Sequence, residues 1–288
     1  KPINATRWLT AAAMATTLVL SACGGSSDAP ETRDTAYGKV QGVDDGAKSG
    51  TYYWKGIPFA QAPAGALRWK APVAPTAWKD TLQATQFGAS CIQNPRMYSP
   101  GNANTFDASV GDNILSGHTP GSEDCLSLNI WRPATNEKNL PVIVFIYGGS
   151  NITGYSGDPL YDGAALAKKA NAVVVSANYR LGQLGFFRHP ALRDTAVDPT
   201  LTPEDQSGNF AVLDIIQALK FVQGNIEHFG GNKATVTQSG QSAGAINVLA
   251  VLTTPGNRAA GLFHRLAPLS GGISVATSPG FPQPANNL

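Results

Sequence analysis

Thr235-Val236-Thr237-Gln238-Ser239-Gly240-Gln241-Ser242-Ala243-Gly244-Ala245 decides how this 288-residue chain is read. A β-branched run ends in Gly-x-Ser-x-Gly, and the largely apolar stretch Ala245 to Leu252 follows it as a helix. A serine hydroxyl attacks a carbonyl only when a strained strand-to-helix turn holds it out, and that turn needs small neighbours so that the backbone can bend and pack closely. Gly240, Ala243, Gly244 and Ala245 supply those neighbours, which nominates Ser242 as a nucleophile. Gly-x-Ser-x-Gly alone is a weak signal in a chain with 31 glycines. The strand before it and the helix after it give it weight.

Acyl transfer also needs hydrogen-bond donors aimed at the oxygen that becomes negative in the tetrahedral intermediate. Val142 to Tyr147 reads as a buried strand running into Gly148-Gly149-Ser150 and then Asn151 to Gly157. Small residues in succession leave backbone N–H groups bare, as the second oxyanion element beside a nucleophile elbow requires. Without the elbow, Gly148-Gly149 would be an ordinary turn.

Strands alternate with helices around these two motifs. Ser127–Trp131, Val142–Tyr147 and Ala172–Tyr179 are short apolar runs, as expected of strands buried on both faces. Gly163 to Ala170 reads as a helix between them. Phe210 to Phe229 carries Val212, Leu213, Ile216, Leu219, Val222 and Ile226 near a 3.6-residue period, and Gly230-Gly231 stops it. This order predicts an α/β fold with a mostly parallel central sheet. Ahead of it, Thr35 to Val43 and Thr51 to Phe59 predict an N-terminal antiparallel pair. Pro-rich loops from Ala60 to Trp78 and a Gly/Asn/Ser/Pro-rich loop from Ile92 to Glu123 complete the organisation.

The first residues read as a targeting segment. Lys1 and Arg7 form a basic start, Trp8 to Leu20 an apolar run, and Leu20-Ser21-Ala22-Cys23 a small-residue cleavage site. That apolar run falls short of the roughly 20 residues that span a bilayer. Leu-Ser-Ala-Cys resembles the lipobox of bacterial lipoproteins, which makes Cys23 a candidate lipid anchor to a membrane. The alternative is an ordinary secretory signal in which Cys23 is incidental. The expected division is a signal peptide over 1–22, a flexible tether over 23–34 and one domain over 35–288. Export to the bacterial cell envelope follows, with the chain lipid-anchored to the outer membrane, or else periplasmic or secreted. Cleavage removes two basic residues and no acid, leaving 19 basic residues against 19 acidic. This balance, with no basic patch, sets nucleic acid aside as a partner. Cys91 and Cys125 lie on the exported side, where disulfides persist, and are expected to pair. No His/Cys/Asp cluster has metal-ligand spacing, so neither a metal nor an organic cofactor is implied.

Several further motifs occur in order: Gly56-Ile57-Pro58-Phe59-Ala60 with Leu67-Arg68-Trp69, and Ser122 to Trp131 (SEDCLSLNIW). Asn178-Tyr179-Arg180-Leu181-Gly182 and Asn225-Ile226-Glu227-His228-Phe229-Gly230-Gly231 follow. From about Thr35 onward the chain resembles the type-B carboxylesterases, which include para-nitrobenzyl esterases and cholinesterases. The resemblance implies an α/β-hydrolase fold and a small-molecule ester substrate. It also implies a Ser242 nucleophile with an oxyanion hole made by the N–H groups of Gly149, Ser150 and Ala243. It matches Cys91 and Cys125 to the family's first disulfide, and Arg68 with Glu123 and Arg180 with Asp214 to ion pairs read as structural.

The chain departs from the family pattern at three points. Gln241 stands where a glutamate is usual beside the nucleophile, and Ser150 replaces the last glycine of the oxyanion loop, where its side chain would narrow the acyl pocket. The family's triad acid and histidine lie well over a hundred residues beyond the nucleophile, whereas this sequence stops at Leu288. His118, His189, His228 and His264 read as surface or capping residues. A sheet ending one strand after the elbow, near Arg265 to Ser270, would leave an unpaired edge. The expectation is therefore a fragment of a serine esterase, its α/β-hydrolase fold cut off after the elbow and its oligomeric state unspecified. Cholinesterases hold a cationic head group with a tryptophan between the first two disulfide cysteines, and no Trp lies between Cys91 and Cys125. Neutral esters with modest acyl groups are thus the expected substrates. A catalytically inert cell-surface lipoprotein acting as a binding module is the alternative, although such relatives typically replace the serine.

Overall fold

The computed structural model describes residues 29–93 and 121–272. Cys23, the signal segment and most of the loop from Ile92 to Glu123 lie outside the described residues. In chain order come β1 (Thr32–Thr35), β2 (Gly38–Gln41), β3 (Val43–Asp45), β4 (Thr51–Pro58), β5 (Leu82–Gln83), β6 (Ser127–Pro133) and β7 (Leu140–Ile146). Then follow α1 (Ala164–Ala170), β8 (Val173–Ala177), α2 (Gly182–Phe186), α3 (Phe210–Asn225), β9 (Gly231–Gln241), α4 (Ala243–Leu252) and β10 (Arg265–Leu269).

Among the described residues the main sheet has the order β10-β9-β7-β8-β6-β4-β3. Its β10, β9, β7 and β8 run parallel, and β6, β4 and β3 continue it antiparallel. The antiparallel part is larger than a single N-terminal pair. Thr35 to Val43 is not one strand: the chain turns before Gly38 and breaks again at Gly42. β2 therefore pairs with β1, Val40 opposite Arg33, while β3 pairs with β4, Val43 opposite Tyr53. The stretch expected as a tether also ends in a strand, because Thr32–Thr35 is β1 and its ladder with β2 holds it.

β6 and β8 are buried along their whole length, as their apolar runs predict. α3 differs from the stripe its period suggests and is buried nearly all round. The sheet lies on one side of it and N-terminal chain on the other. Tyr37 stacks on Phe221 at 5.9 Å, Ala36 N donates to Asn225 Oδ1 at 2.7 Å, and Gln217 Nε2 donates to the Phe59 carbonyl. Apolar side chains that face this second layer would otherwise meet water, at a cost of about 25 cal/mol per Å². Cys91 and Cys125 are buried and joined by a disulfide with Cα atoms 5.0 Å apart. That bridge ties the start of β6 to the chain after β5.

Candidate active site

The parallel register places the site. Val142, Val144 and Ile146 of β7 lie opposite Val236, Gln238 and Gly240 of β9, so both strands end together. The two sequence motifs therefore meet at the C-terminal ends of two adjacent parallel strands.

Ser242 sits between β9 and α4 at φ +55° and ψ −122°, a conformation that L-residues avoid and that costs on the order of 1–3 kcal/mol. The surrounding hydrogen bonds hold it there. Ser242 N donates to the Leu269 carbonyl of β10 at 2.9 Å, and the Ser242 carbonyl accepts from Ala245 N and Ile246 N at 2.9 and 3.1 Å. Ser242 does not cap α4 with its own side chain, which leaves Oγ uncommitted. Gly244 shows why the turn needs small residues. A Cβ there would stand 2.1 Å from the Ile146 carbonyl oxygen, so any side chain would push the first turn of α4 off β7.

After β7 the chain runs through Tyr147 to Gly148, where an added Cβ would lie 2.6 Å from the Gln241 carbonyl and 3.0 Å from Ser242 Cβ. The loop thus touches the elbow. Gly149, Ser150 and Asn151 all have positive φ, +112°, +57° and +59°. The Gly149 carbonyl closes this turn by accepting from Ile152 N and Thr153 N. Among the described residues the backbone N–H groups of Gly149, Ser150 and Ala243 have no acceptor, the last because the first turn of a helix leaves its donors unpaired. Ser150 is exposed and Gln241 half-buried beside Ser242. Bare backbone donors around a strained serine can stabilise an oxyanion.

The histidines lie elsewhere. His264 pairs with Val236, donating its backbone N–H to the Val236 carbonyl and accepting from Val236 N on Nδ1. Six residues of strand, roughly 20 Å at the usual rise, separate Val236 from Ser242. His228 sits in the turn before β9, at the opposite end of that strand. His189 accepts from Ala191 N on Nδ1 and caps a short helical turn. His118 lies outside the described residues.

The two ion pairs differ in setting. Arg180 and Asp214 are both buried and joined by a double hydrogen bond of 2.8 and 2.7 Å, and Arg180 Nη1 also donates to the Lys70 carbonyl. Arg68 and Glu123 make a similar fork of two 2.6 Å bonds at the surface, which holds the Glu123 carboxyl below its usual range. Tyr147, which leads into Gly148, and Tyr179 stack at 4.5 Å, and burial pushes both phenols far above their usual range, so they stay neutral. No group of three or more His, Cys, Asp or Glu suited to a metal ion occurs among the described residues.

Sequence reading passed over Asn151 and Asn247, whose carboxamides meet behind this loop. The available signal was the lone polar residue in the otherwise apolar Ala243–Leu252.

The model of the Carboxylesterase family matches residues 29–283. The para-nitrobenzyl esterase of Bacillus subtilis (strain 168) is 38% identical over 244 residues, covering 84% of this chain and 44% of that protein. The fumonisin B1 esterase of Sphingopyxis macrogoltabida is 38% identical over 284 residues, 96% of this chain and 46% of the relative. Among solved structures, a PNB esterase superposes with a TM-score of 0.66 at 37% identity, over 83% of this chain and 43% of that one. The chain spans less than half the length of these relatives.

Proposed function

This chain belongs to the carboxylesterase family, and we propose that the full natural protein hydrolyses carboxylic esters with Ser242 as its nucleophile. One observation carries the reading: the strained Ser242 faces a loop in which the N–H groups of Gly149 and Ser150 have no acceptor among the described residues. Ser242 Oγ adds to the ester carbonyl while a general base takes its proton. The N–H groups of Gly149, Ser150 and Ala243 hold the oxyanion, and collapse breaks the ester C–O bond as the proton passes to the departing alkoxide. Water then repeats the sequence on the acyl-enzyme, releasing the acid and restoring the serine.

His264 and His228 lie along β9 well away from Ser242, and the matched part of this chain covers less than half of its relatives' length. Both facts support a base and an acid outside the described residues, and a longer enzyme of which this chain forms the N-terminal part. Removing the base in a comparable serine protease lowers kcat about 10⁶-fold. Neutral Gln241 beside the nucleophile supports a preference for neutral esters, and the Ser150 side chain supports modest acyl groups. Cys23 is the proposed lipid anchor to the cell envelope. Several acyl chains on it would hold the protein at a membrane.

Labelling of the full natural protein with a fluorophosphonate tests the nucleophile. Wild type reacts and Ser242→Ala does not. Labelling that survives Ser242→Ala overturns the assignment, and an unreactive wild type shifts the reading to an inert cell-surface lipoprotein. A higher kcat/KM for choline esters than for matched neutral esters would remove the substrate preference. Mass spectrometry of the mature N-terminus tests the anchor, which an unmodified Cys23 thiol on exported protein rules out.

A further inference from the structure

The turn that carries the bare N–H groups is one the chain would not hold by itself. Three successive residues, Gly149, Ser150 and Asn151, adopt positive φ, which glycine and asparagine tolerate and serine disfavours. Its internal bonds, Ile152 N and Thr153 N to the Gly149 carbonyl at 3.1 and 3.2 Å, close the turn without fixing it to the elbow. Gln93 ties the far end of the turn, accepting from Thr153 Oγ1 and Gly154 N at 2.7 and 2.8 Å, and Asn151 makes the connections on the side of the elbow. Its backbone carbonyl accepts from Gly182 N at 2.6 Å. Its Oδ1 accepts from Asn247 Nδ2 at 2.8 Å and lies 3.4 Å from the Tyr179 hydroxyl. Its Nδ2 returns a longer bond of 3.4 Å to Asn247 Oδ1.

Asn247 is buried, only 2% exposed, and is the one polar side chain of α4. α4 is also the helix that starts immediately after Ser242 and supplies the Ala243 N–H. A carboxamide in an apolar helix costs stability unless it is paired, and here its partner is the residue next to Ser150.

We propose that the Asn151–Asn247 carboxamide pair is a positioning device that locks the Gly149–Ser150 turn to the nucleophile's helix, holding all three oxyanion donors in one rigid frame. The proposal rests on the reading of Ser242 as nucleophile. A donor displaced by a fraction of an ångström loses its bond to the transition state while ground-state binding hardly changes. Neither asparagine touches the substrate.

The test uses Asn151→Ala, Asn247→Ala and the double variant of the full natural protein, with p-nitrophenyl butyrate as substrate. Each single variant should lower kcat 10- to 100-fold with KM changed less than threefold, and the double variant should be no worse than either single one, because the two residues act as a unit. Amide exchange at Ile152 and Thr153, whose N–H groups close the turn on the Gly149 carbonyl, and at Gly182, which donates to the Asn151 carbonyl, followed by mass spectrometry, should speed up at least tenfold in Asn247→Ala while the melting temperature falls by only a few degrees. Losses that multiply in the double variant, losses confined to KM, or unchanged exchange would overturn the proposal. The exchange readout does not depend on catalysis, and Ser242→Ala separately reports on the nucleophile, so failure of the pair and failure of the esterase reading are told apart.

Discussion

Ile146 of β7 lies opposite Gly240 of β9 in parallel register, and this pairing sets the loop after one strand against the serine after the other. Two residues beyond Ile146 comes Gly148, and two beyond Gly240 comes Ser242. The approach leaves no room for a Cβ at Gly148, which would sit 2.6 Å from the Gln241 carbonyl. Gly148→Ala should therefore move the loop off the elbow and lower kcat/KM by about 10²-fold or more, the usual effect of losing an oxyanion donor. The melting temperature should change much less than it does for Gly244→Ala, whose Cβ meets the Ile146 carbonyl at 2.1 Å. Ester hydrolysis and thermal melts of the two variants check this.

Asp214 anchors Arg180 through two side-chain bonds and accepts a third from the Arg180 backbone N–H. Both groups are buried, so removing one partner strands the other's charge. Asp214→Ala should lose about 3–5 kcal/mol in denaturant unfolding. Arg180→Lys should also destabilise, because a lysine cannot fork onto the carboxylate and reach the Lys70 carbonyl as well.

Glu123 gives a pH signature of the opposite, surface kind. The hydrogen bond from Arg68 lowers its pKa below the ordinary value of 4.5. A depressed folded-state pKa contributes stability that is present above 4.5 and is lost as pH falls through the folded value. Arg68 is 42% exposed, so water and salt screen the pair and its contribution is small. Glu123→Gln should lower stability slightly at pH 7 and flatten its decline below pH 4.5, as melts across that range would record.

How much of this was legible in advance depended on whether the signal was local. The elbow could be read because Gly240, Ser242 and Gly244 announce their own backbone geometry, and the apolar runs of β7 and β8 announce burial. Pairing among β1 to β4 could not be read. β1, β2 and β3 are short and polar, and their partners follow from where Gly38 and Gly42 turn the chain and from the cover that α3 requires. The Asn151–Asn247 pair was hidden for a similar reason. The two residues lie 96 positions apart, and nothing in either neighbourhood says that the helix face carrying Asn247 looks toward the loop.

The Cys91–Cys125 bridge closes a separation of 34 residues. In the chain-entropy model a loop of this size is worth about 4 kcal/mol. Cys125→Ser should approach that loss, and the same loss should appear in wild type when thiols are reduced before unfolding. A variant as stable as the oxidised protein would mean that the unfolded chain is already constrained there.

Gln238 presents the opposite opportunity. It lies in the middle of β9, opposite Val144 on one side and Leu266 on the other, with no exposed surface. Neither its Oε1 nor its Nε2 has a hydrogen-bond partner among the described residues. An amide buried in this way costs about 1–3 kcal/mol, and a leucine of similar size would remove that cost while keeping the apolar contacts. Gln238→Leu should therefore raise stability by about 1–2 kcal/mol in denaturant unfolding of the full natural protein, with kcat unchanged. A loss of stability instead would locate a polar partner for Gln238 outside the described residues, packed against the strand that leads into Ser242.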